Sequence, residues 1–364
     1  MTRKNSYLEI FESLRADILE GRIIPGALLP SEHELSEKMN VSRPTIAKVY
    51  NALQQEGLVK KKAGFGTMVM RSQDKKQYTF GLLLPGSGET EIFRIIIDQF
   101  IQLEKARDFN CLWEGTVANN AEVRKEIIMR ICHSYIEKKV DGVFFSPLER
   151  TDSVNDLNIG ICNMFYAKKI PLVLLDRDIL MFPNRSKFDL VGIDNFQAGY
   201  LMAEHLVKAG CNIVHFFCRR NSAYSVDMRI AGCRAALIAA GISFTTDNIF
   251  ISEPNNLETA KKIPIDKGKT GIVCANDSTA AVLMSTLAAA GIKVATDLLI
   301  VGFDDMKYSR NLRVPLTTYW QPCEDIGRLS IDVMYSRIRN ADQSPVTVCV
   351  SGRLIVRESS RFVQ

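Results

Sequence analysis

Leu29-Pro-Ser-Glu-His-Glu-Leu-Ser-Glu-Lys-Met-Asn-Val-Ser-Arg-Pro-Thr-Ile-Ala-Lys-Val-Tyr-Asn-Ala-Leu-Gln-Gln-Glu-Gly-Leu58 spells two short helices with a tight turn between them. Ser31 with Glu34 three residues on is a reciprocal capping box, and Ser42 with Pro44 in the first turn starts a second helix. Met39, Asn40 and Val41 form a turn-sized spacer. Leu35 and Met39 lie one turn apart on the first helix, and Ile46, Val49, Tyr50 and Leu53 make an apolar stripe on the second. Each helix therefore has a face to bury. Ser42, Arg43, Thr45 and Lys48 stay outside, near an N-terminus whose free backbone N–H groups face the same way. A recognition helix meets DNA in this manner.

Upstream, Ser6 and Glu9 read as another capping box, and Leu8, Phe11, Leu14, Ile18 and Leu19 give a helical stripe that ends at Gly21. Ile24-Pro-Gly-Ala27 then breaks the pattern. After Gly57 the period changes: Leu58 to Lys62 and Thr67 to Val69 flank Ala63-Gly64-Phe65-Gly66 as a β-hairpin. Three helices and a basic hairpin make a winged helix-turn-helix. Lys60, Lys61 and Lys62 would elsewhere be a solvated strand end, but beside a recognition helix they suit phosphate contact. Residues 72–78 are polar and aperiodic, as a linker is, and residues 1–71 form the DNA-binding domain.

Charge follows this division. Residues 1–77 hold 13 Lys/Arg against 9 Asp/Glu, while the other 287 hold 33 against 32, so the basic excess belongs to the segment expected to meet a polyanion. The nine cysteines are scattered without a C-x-x-C pair or histidines at metal-ligand spacing, and read as buried apolar residues in a reducing compartment. Neither a signal-peptide core nor a membrane span is present, so the expected location is the cytoplasm, with no metal and no cofactor.

From residue 79 onward, short apolar runs alternate with helical stripes. Strands are expected near 79–85, 111–113, 142–146, 172–176, 190–194, 213–217, 271–275 and 299–303. Helices are expected at about 92–106, 121–138, 196–209, 227–240, 278–290 and 324–339. Repeated βα units mean parallel sheets covered on both faces, so the fold class is α/β. Ligands in such sheets bind beyond the carboxyl ends of the strands. Asp176 and Arg177, Asp194 and Asn195, Asn276 and Asp277, and Asp304 and Asp305 all sit there. Each alone is an ordinary helix cap. Together they line one cleft of carboxylates and amides, suited to hydroxyls that both donate and accept.

Two resemblances follow. Leu-Pro-Ser-Glu-x-Glu-Leu-Ser, Val-Ser-Arg-x-Thr, Leu-x-x-Glu-Gly-Leu and Gly-x-Gly-Thr-x-Val, in that order, resemble the DNA-binding domain of the GntR family of bacterial transcription regulators. That resemblance implies DNA contact by Ser42, Arg43 and Thr45, and a wing tip at Gly64. Ser31, Lys48 and Lys62 complete the candidate DNA-contacting set. The chain has His33 and Ala47 where the family often has Arg. The remainder resembles the effector domain of the LacI/GalR family, itself similar to periplasmic sugar-binding proteins. The carrying segments are Pro171-Leu-Val-Leu-Leu-Asp-Arg177, Asp194-Asn-x-x-Ala-Gly199, Arg229-x-x-Gly232, Ala275-Asn-Asp277, Val301-Gly-Phe-Asp-Asp305 and Leu316-Thr-Thr-x-x-Gln-Pro322. It implies two lobes over residues 79–360, lobe one being 79–192 with 323–345 and lobe two 193–318 with 346–360. By position, Arg229, Asn276 and Asp304 would bind a sugar, Asp176 or Arg177 would reach from the other lobe, and Phe93 and Trp320 are candidates for ring packing.

The combination resembles arabinose-type repressors. It implies a homodimer that binds double-stranded operator DNA and is released by a monosaccharide such as a pentose or deoxyhexose. An activator would differ only in operator placement. A transporter's binding component would share the body but not the head. Lys267-Gly-Lys-Thr-Gly271 lacks the leading glycine of a phosphate loop, and the four histidines show no nucleophile-base logic, so no enzyme is expected.

Overall fold

The computed structural model describes residues 3–19, 22–24, 26–62, 65–70, 77–84, 91–114, 121–149, 154–266 and 269–362. Gly21, Pro25, Gly64, most of the 72–78 linker and Lys267-Gly268 lie outside these. The chain divides into two compact units, Met1–Gln77 and Tyr78–Gln364.

In the first unit, α1 (Arg3–Leu19), α2 (Glu32–Lys38) and α3 (Arg43–Gln55) precede a hairpin of β1 (Val59–Lys62) and β2 (Gly66–Val69). Helix α1 already begins at Arg3, so Ser6 is helical and not a cap. The capping box at Ser31 forms on both sides, with Glu34 N–H donating to Ser31 Oγ (3.2 Å) and Ser31 N–H to Glu34 Oε2 (2.7 Å). The α3 stripe of Ile46, Val49, Tyr50 and Leu53 is buried with Ile10, Leu29, Leu35, Val59 and Val69 in one core. Met39 is exposed instead of buried, because it occupies the C-cap, where the chain turns away through Asn40 at φ +49°. Residues 26–29 hydrogen-bond along β2 through an isolated antiparallel bridge between Leu28 and Met68.

The second unit contains two six-stranded sheets. The first is built from β3 (Tyr78–Leu83), β4 (Phe109–Trp113), β5 (Gly142–Phe145), β6 (Leu172–Leu175) and β7 (Asp189–Gly192), with α4 (Glu91–Arg107), α5 (Ala121–Glu137) and α6 (Val154–Ala167) between the strands. The second begins with α7 (Asn195–Lys208), β8 (Ile213–Cys218), α8 (Tyr224–Ala239), β9 (Ile249–Ile251), α9 (Leu257–Lys262), β10 (Thr270–Cys274) and α10 (Asp277–Ala289). It continues with β11 (Leu298–Asp304) and β12 (Thr317–Trp320). The chain then returns: α11 (Cys323–Arg339) packs on α4 and the first sheet, β13 (Thr347–Cys349) pairs with β7, and β14 (Arg353–Ile355) pairs with β12. The orders are β13-β7-β6-β5-β3-β4 and β14-β12-β11-β10-β8-β9, all parallel except β14. Tyr78, read as the last linker residue, is the first residue of β3.

Of the strands, β5, β6, β10 and β11 are buried along their whole length, as central parallel strands between helical layers must be. The two sheets place their carboxyl ends toward one cleft, where the chain crosses from one to the other.

Candidate functional site

Two sites emerge, one in each unit. In the first, Ser42, Thr45 and Lys48 line a single groove on α3, shared with Tyr7, Asn51 and Gln55. Ser42 Oγ is 2.8 Å from Thr45 Oγ1, so the two hydroxyls are presented as a pair. Arg43 is 70% exposed and its Nε lies 3.7 Å from Glu32 Oε2. Lys61 Nζ donates to Glu32 Oε1 (3.0 Å) and Asn51 Oδ1 (2.9 Å), which ties the wing to both helices. Lys62 sits over the Phe65 ring at 4.6 Å. Ser31 spends its hydroxyl oxygen on the capping bond. His33 is exposed beside Glu37. Gly64 lies outside the described residues.

The second site is the cleft. Asp176, Arg177, Arg229, Asn276 and Asp304 come together there with Glu149, around a cavity of about 20 Å³. Arg229 is 4% exposed; its Nε donates to Asn195 Oδ1 (2.8 Å), its Nη1 to the Ala275 carbonyl (2.6 Å), and its guanidinium lies over the Phe303 ring at 4.4 Å. Helix packing sets this position. A Cβ on Gly199 of α7 would stand 2.1 Å from the Arg229 carbonyl, and one on Gly232 of α8 would stand 2.0 Å from the Phe196 carbonyl. Only glycine lets the two backbones touch, and that contact brings Arg229 to Asn195.

Asp304 Oδ1 accepts from Gln321 Nε2 (2.6 Å). Burial pushes its carboxyl up to about 7, against the pull of Arg229 and with the push of Asp176. Next to it Asp277 is fully buried, accepting from Met306 N–H (2.9 Å) and Thr318 Oγ1 (2.6 Å), and burial and Asp304 raise its pKa well above the usual carboxylate value. Gly302 leaves room for this carboxylate, since a Cβ there would stand 2.4 Å from Asp277 Oδ1.

From the first sheet, Arg177 Nε donates to Asp176 Oδ2 (2.8 Å), and Nη1 lies 3.0 Å from Glu149 Oε2. Desolvation opposes the Arg177 charge, yet Glu149 and Asp176 outweigh it and its pKa is raised. Asp176 Oδ1 is buried without a hydrogen-bond partner. Asp176, Asp304 and Asp305 also adopt φ of +68°, +110° and +50°, a region that costs a residue with a Cβ. Strained carboxylates and an unpartnered polar atom at one spot are the marks of a group held ready for a ligand. The lobes are tied across the cleft, with Ala223 N–H donating to Glu149 Oε2 (3.2 Å) and Lys307 N–H to Glu91 Oε2 (3.3 Å).

The two aromatic candidates stand apart. Phe93 is core, 1% exposed beneath Arg177, and Trp320 stacks under the Arg353 guanidinium at 4.3 Å; neither lines the cavity. Apolar ring area next to a hydrophobic core is worth more buried there than facing a cleft. Asp194 and Asn276 do cap α7 and α10, accepting from Gln197 N–H (2.9 Å) and Thr279 N–H (2.8 Å), so Asn276 serves both as cap and as cleft wall. Glu149 and Gln321 were not among the candidates, whereas Asn195 was and is the partner of Arg229. Among the described residues no group of His, Cys, Asp and Glu is placed to hold a metal, and no helix is long and apolar enough to cross a membrane.

Residues 6–69 match the model of the bacterial regulatory proteins of the gntR family, and residues 203–360 match that of the periplasmic binding protein-like domain. The chain is 24% identical to the arabinose metabolism transcriptional repressor of Geobacillus stearothermophilus, over 98% of each chain. Against the repressor of the same name from Halalkalibacterium halodurans it is 27% identical, over 98% of this chain and 97% of that one. Among solved structures, the transcriptional regulator CelR in complex with cellobiose superposes with a TM-score of 0.65 at 20% identity, covering 91% of this chain and all of that one. The α/β body thus has the two-lobed fold of LacI-type regulators.

Proposed function

The chain joins a gntR-family DNA-binding domain to a periplasmic binding protein-like domain, and on that premise we propose that it is a sugar-responsive transcription repressor of carbohydrate-use genes. What carries the reading is the full-length likeness to two arabinose metabolism repressors, which share both parts in the same order. The head would grip operator DNA through Arg43, the Ser42–Thr45 pair and Lys48 in the major groove, with Lys62 on the backbone. In the cleft, Arg229, Asn276 and Asp304 from one lobe and Asp176, Arg177 and Glu149 from the other would hold a monosaccharide. Glu149 and Asp176 already pair with Arg177 and Asp304 faces Arg229, so among its described residues the cleft has no spare cation for an anionic ligand and a neutral sugar fits.

The switch follows from differential affinity. A sugar that bridges both lobes favours the arrangement in which all its contacts form. In a homodimer, a change in lobe angle alters the spacing of two heads that read half-sites about one helical turn apart, and the operator loses its second set of contacts. A thermal-shift screen of pentoses, deoxyhexoses and phosphosugars tests the ligand class. A neutral sugar should raise the melting temperature by mass action, by about 2.7 kcal/mol of stabilisation at a hundredfold excess over Kd. Stabilisation by phosphosugars alone would overturn the choice of a neutral ligand.

A further inference from the structure

The three lysines of β1 are not equivalent. Successive side chains of a strand point to opposite faces, so Val59 and Lys61 share one face of the wing hairpin while Lys60 and Lys62 take the other. The register pairs Val59 with Val69 and Lys61 with Thr67, and Val59, Val69 and Thr67 are all buried. Val59 and Val69 belong to the core that also holds the α3 stripe. Lys61 therefore leaves the hairpin on its inner face, toward the helices. Lys60 and Lys62 leave it on the outer face, where Lys62 lies over the Phe65 ring at 4.6 Å.

The Lys61 ammonium is a donor only, and it serves two acceptors: Glu32 Oε1 (3.0 Å) in the first turn of α2 and Asn51 Oδ1 (2.9 Å) on α3. Asn51 lines the groove that holds Ser42, Thr45 and Lys48. The other Glu32 oxygen, Oε2, stands 3.7 Å from Arg43 Nε, too far for a hydrogen bond but close enough to attract the guanidinium. One ammonium thus joins the wing to both helices of the helix-turn-helix and, through a single carboxylate, to the residue proposed to reach a base. An isolated exposed ion pair contributes little to stability. This one is half-sheltered, with the Glu32 side chain 25% exposed, and it closes a ring of three elements, which fixes geometry even where it adds little energy. Without Lys61, Glu32 would be free to pair with Arg43 and compete with DNA for it. We infer that Lys61 is a positioning residue for operator readout: it locks the wing against α2 and α3, holds Glu32 off Arg43, and leaves phosphate contact to the outward-facing lysines. This rests on DNA contact by Arg43 and deepens it, since the wing and the recognition helix then keep one spacing on the duplex.

The full-length protein first selects its preferred duplex from a randomised DNA pool, and poly(dI-dC) then measures sequence-independent binding. Lys61→Met should weaken binding to the selected duplex about tenfold, the scale of losing one base contact, and leave the poly(dI-dC) affinity within about twofold. The slope of log affinity against log salt should stay as in the wild type. Lys62→Met, which removes a phosphate contact, should weaken both complexes and lower that slope by about one. Lys61→Arg keeps donors for Glu32 and Asn51 and should restore the wild-type ratio of specific to non-specific binding. Because Lys61 acts in part through Arg43, the losses of Lys61→Met and Arg43→Ala should fall short of additive in the double variant. If Lys61→Met instead lowers the salt slope by about one and weakens both complexes equally, Lys61 is a phosphate contact and the inference is overturned. Unchanged affinity of Lys61→Met for the selected duplex, or full additivity with Arg43→Ala, would overturn it as well. Selection of no duplex from the pool would remove the DNA-reading function on which it rests.

Discussion

The two candidate sites solve opposite problems. On α3 the groups that would meet DNA project into water: Arg43 is 70% exposed, and its ion pair with Glu32 is loose at 3.7 Å. In the cleft, Arg177, Arg229, Asp176 and Asp304 are all less than 8% exposed, and each depends on its neighbours for pairing. A polyanion supplies its own charge to a solvated surface, so the head can keep its cations hydrated until binding. A neutral ligand supplies none, so the cleft must balance its charges internally and keep spare lone pairs for hydroxyls. Substitutions should therefore damage stability and ligand response together in the cleft, and binding alone in the head.

The largest effect is expected for Arg229→Ala. It strips Asn195, the Ala275 carbonyl and the Asp304 carboxylate of a buried partner, and breaking such a pairing costs about 3–5 kcal/mol. Urea unfolding would read the loss, and sugar-induced stabilisation should vanish with it; unchanged stability would mean that the guanidinium is dispensable to the fold.

Asp304 adds a pH dependence. Its folded pKa of about 7 lies above the ordinary carboxylate value of 3.8, so between these values the native state binds a proton that the unfolded chain has released. Its contribution to stability is present below about pH 4, is lost as pH rises toward 7, and is constant above that, a fall of about 4 kcal/mol at most, of which about 2–3 kcal/mol lies between pH 5 and pH 8. Denaturation at pH 5 and pH 8 should show this drop in the wild type and a smaller one in Asp304→Asn. A parallel drop in both would assign the slope to another group.

Gly232→Ala should cost about 1–3 kcal/mol by forcing α7 and α8 apart, and should weaken sugar binding through displaced Arg229. The smallest stability effect belongs to the head: Arg43→Ala should lose about 1–3 kcal/mol of specific operator binding with the melting temperature unmoved. A melting shift in that variant would blur the contrast between the two sites.

The head was legible in the sequence because its signals are local. A cap and its partner are three residues apart, and an apolar stripe repeats every turn. Eight of the eleven parallel strands among the described residues of the body were legible for the same reason, as short apolar runs. Short elements such as β9, β13, β14 and α9 were not, being only three to six residues long. Polar strand ends pointed to the cleft, but partners came from elsewhere. Glu149 follows β5 on an irregular segment with no cap signal, and Gln321 lies 17 residues from the Asp304 it serves. The reason for Gly199 and Gly232 appears only when two helices cross. Phe93 lies in the core and Trp320 under the Arg353 guanidinium, positions that a ring in the sequence does not reveal because it does not say which face of the layer it joins.

The central claim is that ligand and operator act on one equilibrium. Calorimetric titration of the effector into the full-length protein, alone and saturated with operator DNA, measures it directly. Operator should weaken effector binding by the same factor by which effector weakens operator binding, typically about 5- to 150-fold. Equal effector affinities with and without operator would contradict the account.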